Sequence, residues 1–198
     1  MKKAYVFLKK IPKVYPKDTL YPEARQREID ETGNVERKTE KYWAWKLLED
    51  GVLKVFGKSF SSFSFKRSEN GKWCTDDFFF SISHGGGYAA VVISDTVCGI
   101  DVENEKNLSL DLSKKILTEN EISEFNRITS QGEKSLYLLT QWTKKEAIFK
   151  SFDRAALLPS SIETDDYITR TMRISPDNTP IIISTFIEGN PDFDFSFL

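Results

Sequence analysis

Three strand-like runs crowded into residues 78–102 constrain this chain's fold more than any other feature. Residues 78–83, 88–94 and 97–102 are dense in β-branched and aromatic side chains, and only short turns separate them. Around them, residues 4–8 form one more short apolar run, and Pro12, Pro16 and Pro22 keep the following stretch extended. Trp43, Leu47, Val52 and Val55, with Leu48 and Leu53 beside them, give residues 38–56 an amphipathic helical pattern closed at Gly57. Phe60, Phe63 and Phe65 then lead to Asn70-Gly71, the strongest short hairpin signal in the chain. Beyond the central runs, Thr118-x-x-Glu121 is a capping box that opens a helix to about Arg127. Residues 133–152 read as a longer helix marked by Leu136, Leu139, Trp142 and Phe149. Residues 167–174 and 181–187 return to strands around a Pro176-Asp177-Asn178 turn. The expected class is therefore α+β: two similar α/β subdomains in tandem, residues 1–96 and 97–198, each with strands and one main helix. No low-complexity linker separates them, so they should pack tightly.

Composition removes whole classes of chemistry. The 198 residues include one histidine, His84, and two cysteines, Cys74 and Cys98. Zinc fingers, iron–sulfur clusters and multi-histidine metal centres need more ligands than these. A disulfide-stapled scaffold is excluded on the same count. The lysines near the start flank an apolar run too short for a signal peptide, and no stretch is long enough to span a bilayer. The expected setting is the cytoplasm, with both cysteines reduced and the Asn107-Leu108-Ser109 sequon accidental. Any chemistry must rest on carboxylates, lysines, hydroxyls and at most one imidazole.

The net charge of −2 hides an asymmetry. Residues 1–75 carry 17 basic and 10 acidic side chains, a balance of +7, whereas residues 76–198 carry 11 and 20, a balance of −9. Scatter over a solvated surface is one explanation. The other is that the first half attracts an anion and the second collects a cation.

Three motifs fail on inspection. Gly85-x-Gly87-x-x-Ala90 fits a dinucleotide fingerprint, but Tyr88 to Ser94 reads as a strand where that fingerprint must open a helix. Gly57-Lys58-Ser59 resembles the end of a P-loop, yet Gly51 stands one residue too far away. His84-Gly-Gly-Gly suggests an esterase oxyanion loop, but no G-x-S-x-G supplies a nucleophile.

Four features survive together. Phe80-Ser81-Ile82-Ser83-His84 puts polar groups and the lone imidazole at the end of a buried strand. In Gly99-Ile100-Asp101-Val102-Glu103, residues two apart share a face, so Asp101 and Glu103 point one way while Ile100 and Val102 face the core. Neighbouring carboxylates are costly unless a cation or donors neutralise them, and Mg²⁺ favours such hard oxygen ligands. Trp142, Glu146 and Lys150 are spaced by four and form one helix stripe, which can bring a third carboxylate and a lysine to the same place. Asn70-Gly71-Lys72 is a turn able to offer a lysine and backbone amides to an anion. Alone, each reads as a solvated face, an ordinary i,i+4 pair or a structural histidine. Their order and spacing, 17 residues from His84 to Asp101 and 43 from Glu103 to Glu146, argue for a site.

The ordered set F-S-I-S-H, G-I-D-V-E and W-T-K-K-E-A-I-F-K resembles the 4′-phosphopantetheinyl transferase superfamily, in its surfactin-synthetase-activating branch. The resemblance implies two similar halves in pseudo-twofold arrangement with coenzyme A between them. It implies transfer of the 4′-phosphopantetheine arm of coenzyme A to a serine of an acyl or peptidyl carrier protein, releasing adenosine 3′,5′-bisphosphate. By carry-over, Asp101, Glu103 and Glu146 hold Mg²⁺, Glu146 takes the serine proton directly or through a metal-bound water, and Lys150 and His84 contact phosphate oxygens. Lys72 and Ser83 help hold coenzyme A, and Arg37, beside Lys41 and Lys46 on the helix of the basic half, reaches a phosphate. The partners implied are coenzyme A and a carrier protein, with no nucleic acid or membrane, and the enzyme is a monomer. Two positions depart from the family pattern: Trp73 stands where proline is frequent, and Gly85 where a small hydroxyl residue commonly follows the histidine.

Two other readings compete. A catalytically degenerate homologue would bind coenzyme A or a carrier protein without turnover, but binding alone does not need Asp101, Glu103, Glu146 and Lys150 together. An unrelated metal-dependent phosphatase would release phosphate with no carrier protein present.

Overall fold

A computed structural model describes residues 3–16, 18–106 and 108–198, so Asn107 and its sequon lie outside the described residues. In chain order the elements are β1 (Ala4–Lys10), α1 (Glu23–Asp30), α2 (Val35–Phe56), β2 (Lys66–Arg67), β3 (Trp73–Cys74), β4 (Phe79–Gly85), β5 (Tyr88–Ser94) and β6 (Cys98–Asn104). These are followed by α3 (Ser113–Ile116), α4 (Glu119–Arg127), α5 (Gln131–Ser151), β7 (Thr169–Ile174), β8 (Ile181–Ile187) and β9 (Phe193–Phe197).

The fold is α+β in four layers, α2, sheet, sheet, α5. The first sheet runs β4-β5-β1-β9 and the second β6-β8-β7. Side chains alternate across each strand, and that alternation builds both cores. Phe7, Ala89, Val91 and Ile93 pack under α2 with Tyr42, Trp45, Leu47, Leu48 and Val52. Val6, Leu8, Ala90 and Val92 point the opposite way, onto Ile100, Val102, Ile181 and Ile183 of the second sheet. Strand β5 is therefore buried along its whole length, which explains its unbroken run of Ala, Val and Ile. The outer face of the second sheet carries α5.

Several local expectations hold for plain reasons. Helix α2 starts where the Asn34 side chain accepts the Arg37 N–H, and stops at Gly57, whose φ of 65° suits glycine. Thr118 and Glu121 form a reciprocal capping box at α4. The glycines after His84 close a two-residue hairpin between Gly85 and Tyr88, with Gly86 and Gly87 at φ 66° and 78°. The apparent dinucleotide fingerprint thus leads into strand β5.

Three features depart from expectation. Helix α1 follows Pro22 in a stretch expected to stay extended; its buried residues are Arg25 and Ile29, so it shows no apolar periodicity. The Asn70-Gly71 turn is part of a five-residue loop, because Ser68 bonds Lys72 through both backbone and hydroxyl and leaves Gly71 as the fourth turn position, at φ 82°. Strand β9 was not anticipated. It pairs in parallel with β1, so the last strand of the chain joins the sheet of the first half. Among the described residues, no helix is long and apolar enough to cross a membrane. Cys74 and Cys98 are both free thiols, and burial pushes the Cys98 thiol up to about 12.

Candidate active site

The site lies where the two sheets meet edge to edge. Strand β4 closes one edge of the first sheet, and β6 one edge of the second. Two serines of β4 replace the missing ladder: Ser81 Oγ accepts the Ile100 N–H at 3.2 Å, and Ser83 Oγ accepts the Val102 N–H at 3.3 Å. Gly85 completes the seam, since a Cβ there would stand 2.3 Å from the Val102 carbonyl oxygen. The hydroxyl residue common after the family's histidine has no room in this chain.

On the far face of β6, Asp101 and Glu103 point toward α5. Gly99 lets the helix in, because a Cβ at that position would meet the Ala147 carbonyl at 1.9 Å. Helix α5 thereby presents the stripe Trp142, Glu146, Lys150 to the carboxylates. Lys150 Nζ donates to Asp101 Oδ1 at 2.6 Å and to Ser83 Oγ at 3.1 Å, and lies 4.0 Å from Glu146 Oε2. Ser83 also donates to Asp101 Oδ1 at 2.9 Å. Its hydroxyl is buried within this group. Glu103 lies 3.5 Å from the exposed Lys106 ammonium.

Among the described residues, no three or more histidine, cysteine, aspartate or glutamate side chains already converge as a metal-holding group. The donors present nonetheless fit a hard divalent cation. Asp101 Oδ2 is buried without a hydrogen-bond partner, an unusual state for a carboxylate oxygen. Burial, together with the charges of Asp101 and Glu103, raises the Glu146 carboxyl above its ordinary value against the opposing pull of Lys150.

Two hollows flank these carboxylates. A cleft of about 440 Å³ between the halves is lined by Arg25, Lys41, Lys72, Lys150 and Arg154, with His84, Trp45, Trp73 and Phe152, against one acid, Asp153. The second hollow, about 560 Å³, is mainly apolar: Leu108, Leu112, Ile116, Leu139, Trp142 and Leu157 share its wall with Glu103 and Glu146.

Charge shapes the cleft. His84 is pushed down to about 4 by burial and by Lys150, Arg25 and Lys41, with Asp101 opposing. Its Nδ1 lies 3.3 Å from Glu40 Oε2. Burial lowers the Lys72 ammonium, which donates to the Ser151 carbonyl at the end of α5, 3.1 Å away. Asn70 and Ser68 bind Asp153 from the same loop, so this turn ties the first half to the second. Arg25 stacks over Trp45 at 5.0 Å and pairs with Glu28 at 2.9 Å, while its Nε is buried and unpaired. Burial works to raise Glu28, but bonds from Arg67 and Trp73 and the charge of Arg25 bring it to about 2.

Lys72, His84 and Lys150 thus line one cleft, with Ser83, Asp101, Glu103 and Glu146 beside it. Arg37 is exposed and outside the lining; Arg25, Lys41 and Lys72 supply the basic half's charges there. Sequence reasoning passed over Arg25 and Glu28 because both ride on the unanticipated α1. A proline ahead of an acidic residue, Pro22-Glu23, was the available signal.

A family model described as the 4′-phosphopantetheinyl transferase superfamily matches residues 97–196. Among curated proteins, 4′-phosphopantetheinyl transferase Sfp of Bacillus subtilis strain 168 is 29% identical over 116 residues, 57% of this chain and 51% of that protein. The 4′-phosphopantetheinyl transferase ffp of Bacillus subtilis is 26% identical over 153 residues, 74% of this chain and 67% of that protein. The chain spans about half the length of the first of these relatives. With the family's match extending over β6, α5 and the carboxylates Asp101, Glu103 and Glu146, the chain belongs to the 4′-phosphopantetheinyl transferase superfamily.

Proposed function

We propose that this protein is an Mg²⁺-dependent 4′-phosphopantetheinyl transferase that moves the phosphopantetheine arm of coenzyme A onto a serine of an acyl or peptidyl carrier protein. One observation carries the reading: between a strongly cationic cleft and an apolar hollow, Lys150 on the cleft wall pairs with Asp101 and lies 4.0 Å from Glu146, which lines the hollow together with Glu103. The first suits a diphosphate and the 3′-phosphate of coenzyme A, the second an apolar helix of a carrier protein, and the junction a reacting serine.

Asp101, Glu103 and Glu146 would hold the Mg²⁺, which when bound neutralises charge building on the diphosphate. The chain's own residues do the rest. His84, Lys150 and Lys72, with Arg25 and Lys41, bind and orient the phosphates, and aromatic walls at Trp45 and Trp73 exclude water from the cleft. Glu146 receives the serine proton as the serine oxygen bonds phosphorus. The P–O bond to the adenosine 3′,5′-bisphosphate breaks in the same displacement, and Lys150 stabilises charge on the phosphate oxygens. Residues 1–96 and 97–198 act as the two walls of the site, with one chain sufficient to form it and the cytoplasm as its setting.

The test is mass spectrometry of several purified apo carrier proteins incubated with coenzyme A, Mg²⁺ and this protein. A gain equal to one phosphopantetheine, lost in Asp101→Ala, is expected. No gain on any carrier protein would overturn the reading.

A further inference from the structure

Lys150 occupies two sites at once, and that arrangement has a consequence for the order in which they fill. Its ammonium lies 2.6 Å from Asp101 Oδ1 and 4.0 Å from Glu146 Oε2, two of the three carboxylates assigned to the cation. The same side chain is 29% exposed and lines the cationic cleft. Its hydrogen bonds run to Asp101 and Ser83.

We propose that Lys150 is the resident counter-cation of the carboxylate cluster, and that a divalent ion displaces its ammonium into the cleft, where it meets an anion. The proposal rests on the metal reading above. Asp101 has one oxygen paired with Lys150 and Ser83 and the other buried without a partner. An ion bound through that carboxylate, at about 2.1 Å, would face an ammonium held by the same group. Two cations that close repel each other, and partial burial weakens the screening. The lysine's four-carbon stem is flexible and its exposed side faces the cleft, so a swing relieves the repulsion. In the cleft, Arg25, Lys41 and Arg154 already crowd positive charge. An ammonium added there raises that charge further, and a bound anion balances it. Cation and anion then strengthen each other's binding through one side chain, beyond any direct contact between them.

The test measures binding of Mn²⁺ alone by electron paramagnetic resonance, with no coenzyme A and no carrier protein. Lys150→Met is expected to bind Mn²⁺ about tenfold more tightly than the wild type, a difference of about 1.4 kcal/mol, whereas Lys150→Arg keeps wild-type affinity. Lys106→Met serves as the control: Lys106 lies 3.5 Å from Glu103 but is 58% exposed, so less than a twofold change is expected there. Equal or weaker binding by Lys150→Met, or an equal gain in Lys106→Met, would overturn the proposal and leave the metal reading standing. No Mn²⁺ binding by any of these proteins would overturn the metal reading itself. Should Lys150→Met fail to fold, the wild type carries the test. With ¹³C-methylated lysines, Mg²⁺ alone is expected to move the Lys150 methyl resonance, and an unmoved resonance at saturating Mg²⁺ would contradict the displacement.

Discussion

Gly85 and the carbonyl oxygen of Val102 approach so closely that a Cβ on Gly85 would stand 2.3 Å from that oxygen. The contact holds β4 against β6, and with it the histidine strand against the carboxylate strand. Gly85→Ser, which restores the family's more usual residue, is expected to cost about 3 kcal/mol, the upper range for overpacking a tight site. Urea unfolding of the two proteins checks it; an unchanged midpoint would mean that the seam yields freely.

The pair Lys145–Glu121 lies behind the site. Lys145 is wholly buried, with its ammonium 2.6 Å from Glu121 and 3.1 Å from the Pro159 carbonyl. Glu121 also accepts bonds from Thr118 and Thr164, so one carboxylate joins α4, α5 and the segment near residue 160. Removing one member of such a pair leaves a buried charge without its partner. Lys145→Met is therefore expected to lower stability by about 3–5 kcal/mol, measured by chemical denaturation, with far less added loss when Glu121 is also replaced.

His84 is the chain's only histidine, so its imidazole gives a single set of ring signals in proton NMR. Its folded value of about 4 lies below the ordinary 6.5. Between those values the unfolded state binds more protons than the folded one, so this group's contribution to stability is lost as pH falls from 6.5 toward 4. His84→Gln should flatten that part of the stability–pH curve. Inorganic pyrophosphate, by offsetting the charges of Lys150, Arg25 and Lys41, should move the titration midpoint of the wild type upward.

Lys41 and Arg37 stand one helical turn apart on α2, yet Lys41 lines the cleft and Arg37 is exposed. Lys41→Ala is expected to raise the KM for coenzyme A about tenfold, as the loss of a charge-assisted bond implies. Arg37→Ala should leave it nearly unchanged. The reverse order would put the phosphates on the outer face of the helix.

Much of this site was legible in the letters, and what was hidden has physical causes. Alternation along Gly99–Glu103 and the four-residue spacing from Trp142 to Lys150 each follow from local backbone geometry, so both could be read directly. The capping box at Thr118 is equally local. Helix α1 gives no apolar periodicity, because it buries a charged residue, Arg25, where such a pattern would need an apolar one. Strand β9 shows alternating phenylalanines, but its partner β1 lies at the opposite end of the chain, and no local signal reports such a pairing. The bonds of Ser83 and Lys150 to Asp101 depend on two halves meeting, which no local pattern reports.

The central claim is group transfer, and product stoichiometry tests it most directly. With coenzyme A, Mg²⁺ and an apo carrier protein, adenosine 3′,5′-bisphosphate and modified carrier serine should be counted by chromatography and mass spectrometry over one time course. The expected result is one bisphosphate per modified serine, with none formed when the carrier is omitted. Bisphosphate released without carrier modification would contradict transfer and mark the protein as a hydrolase of coenzyme A.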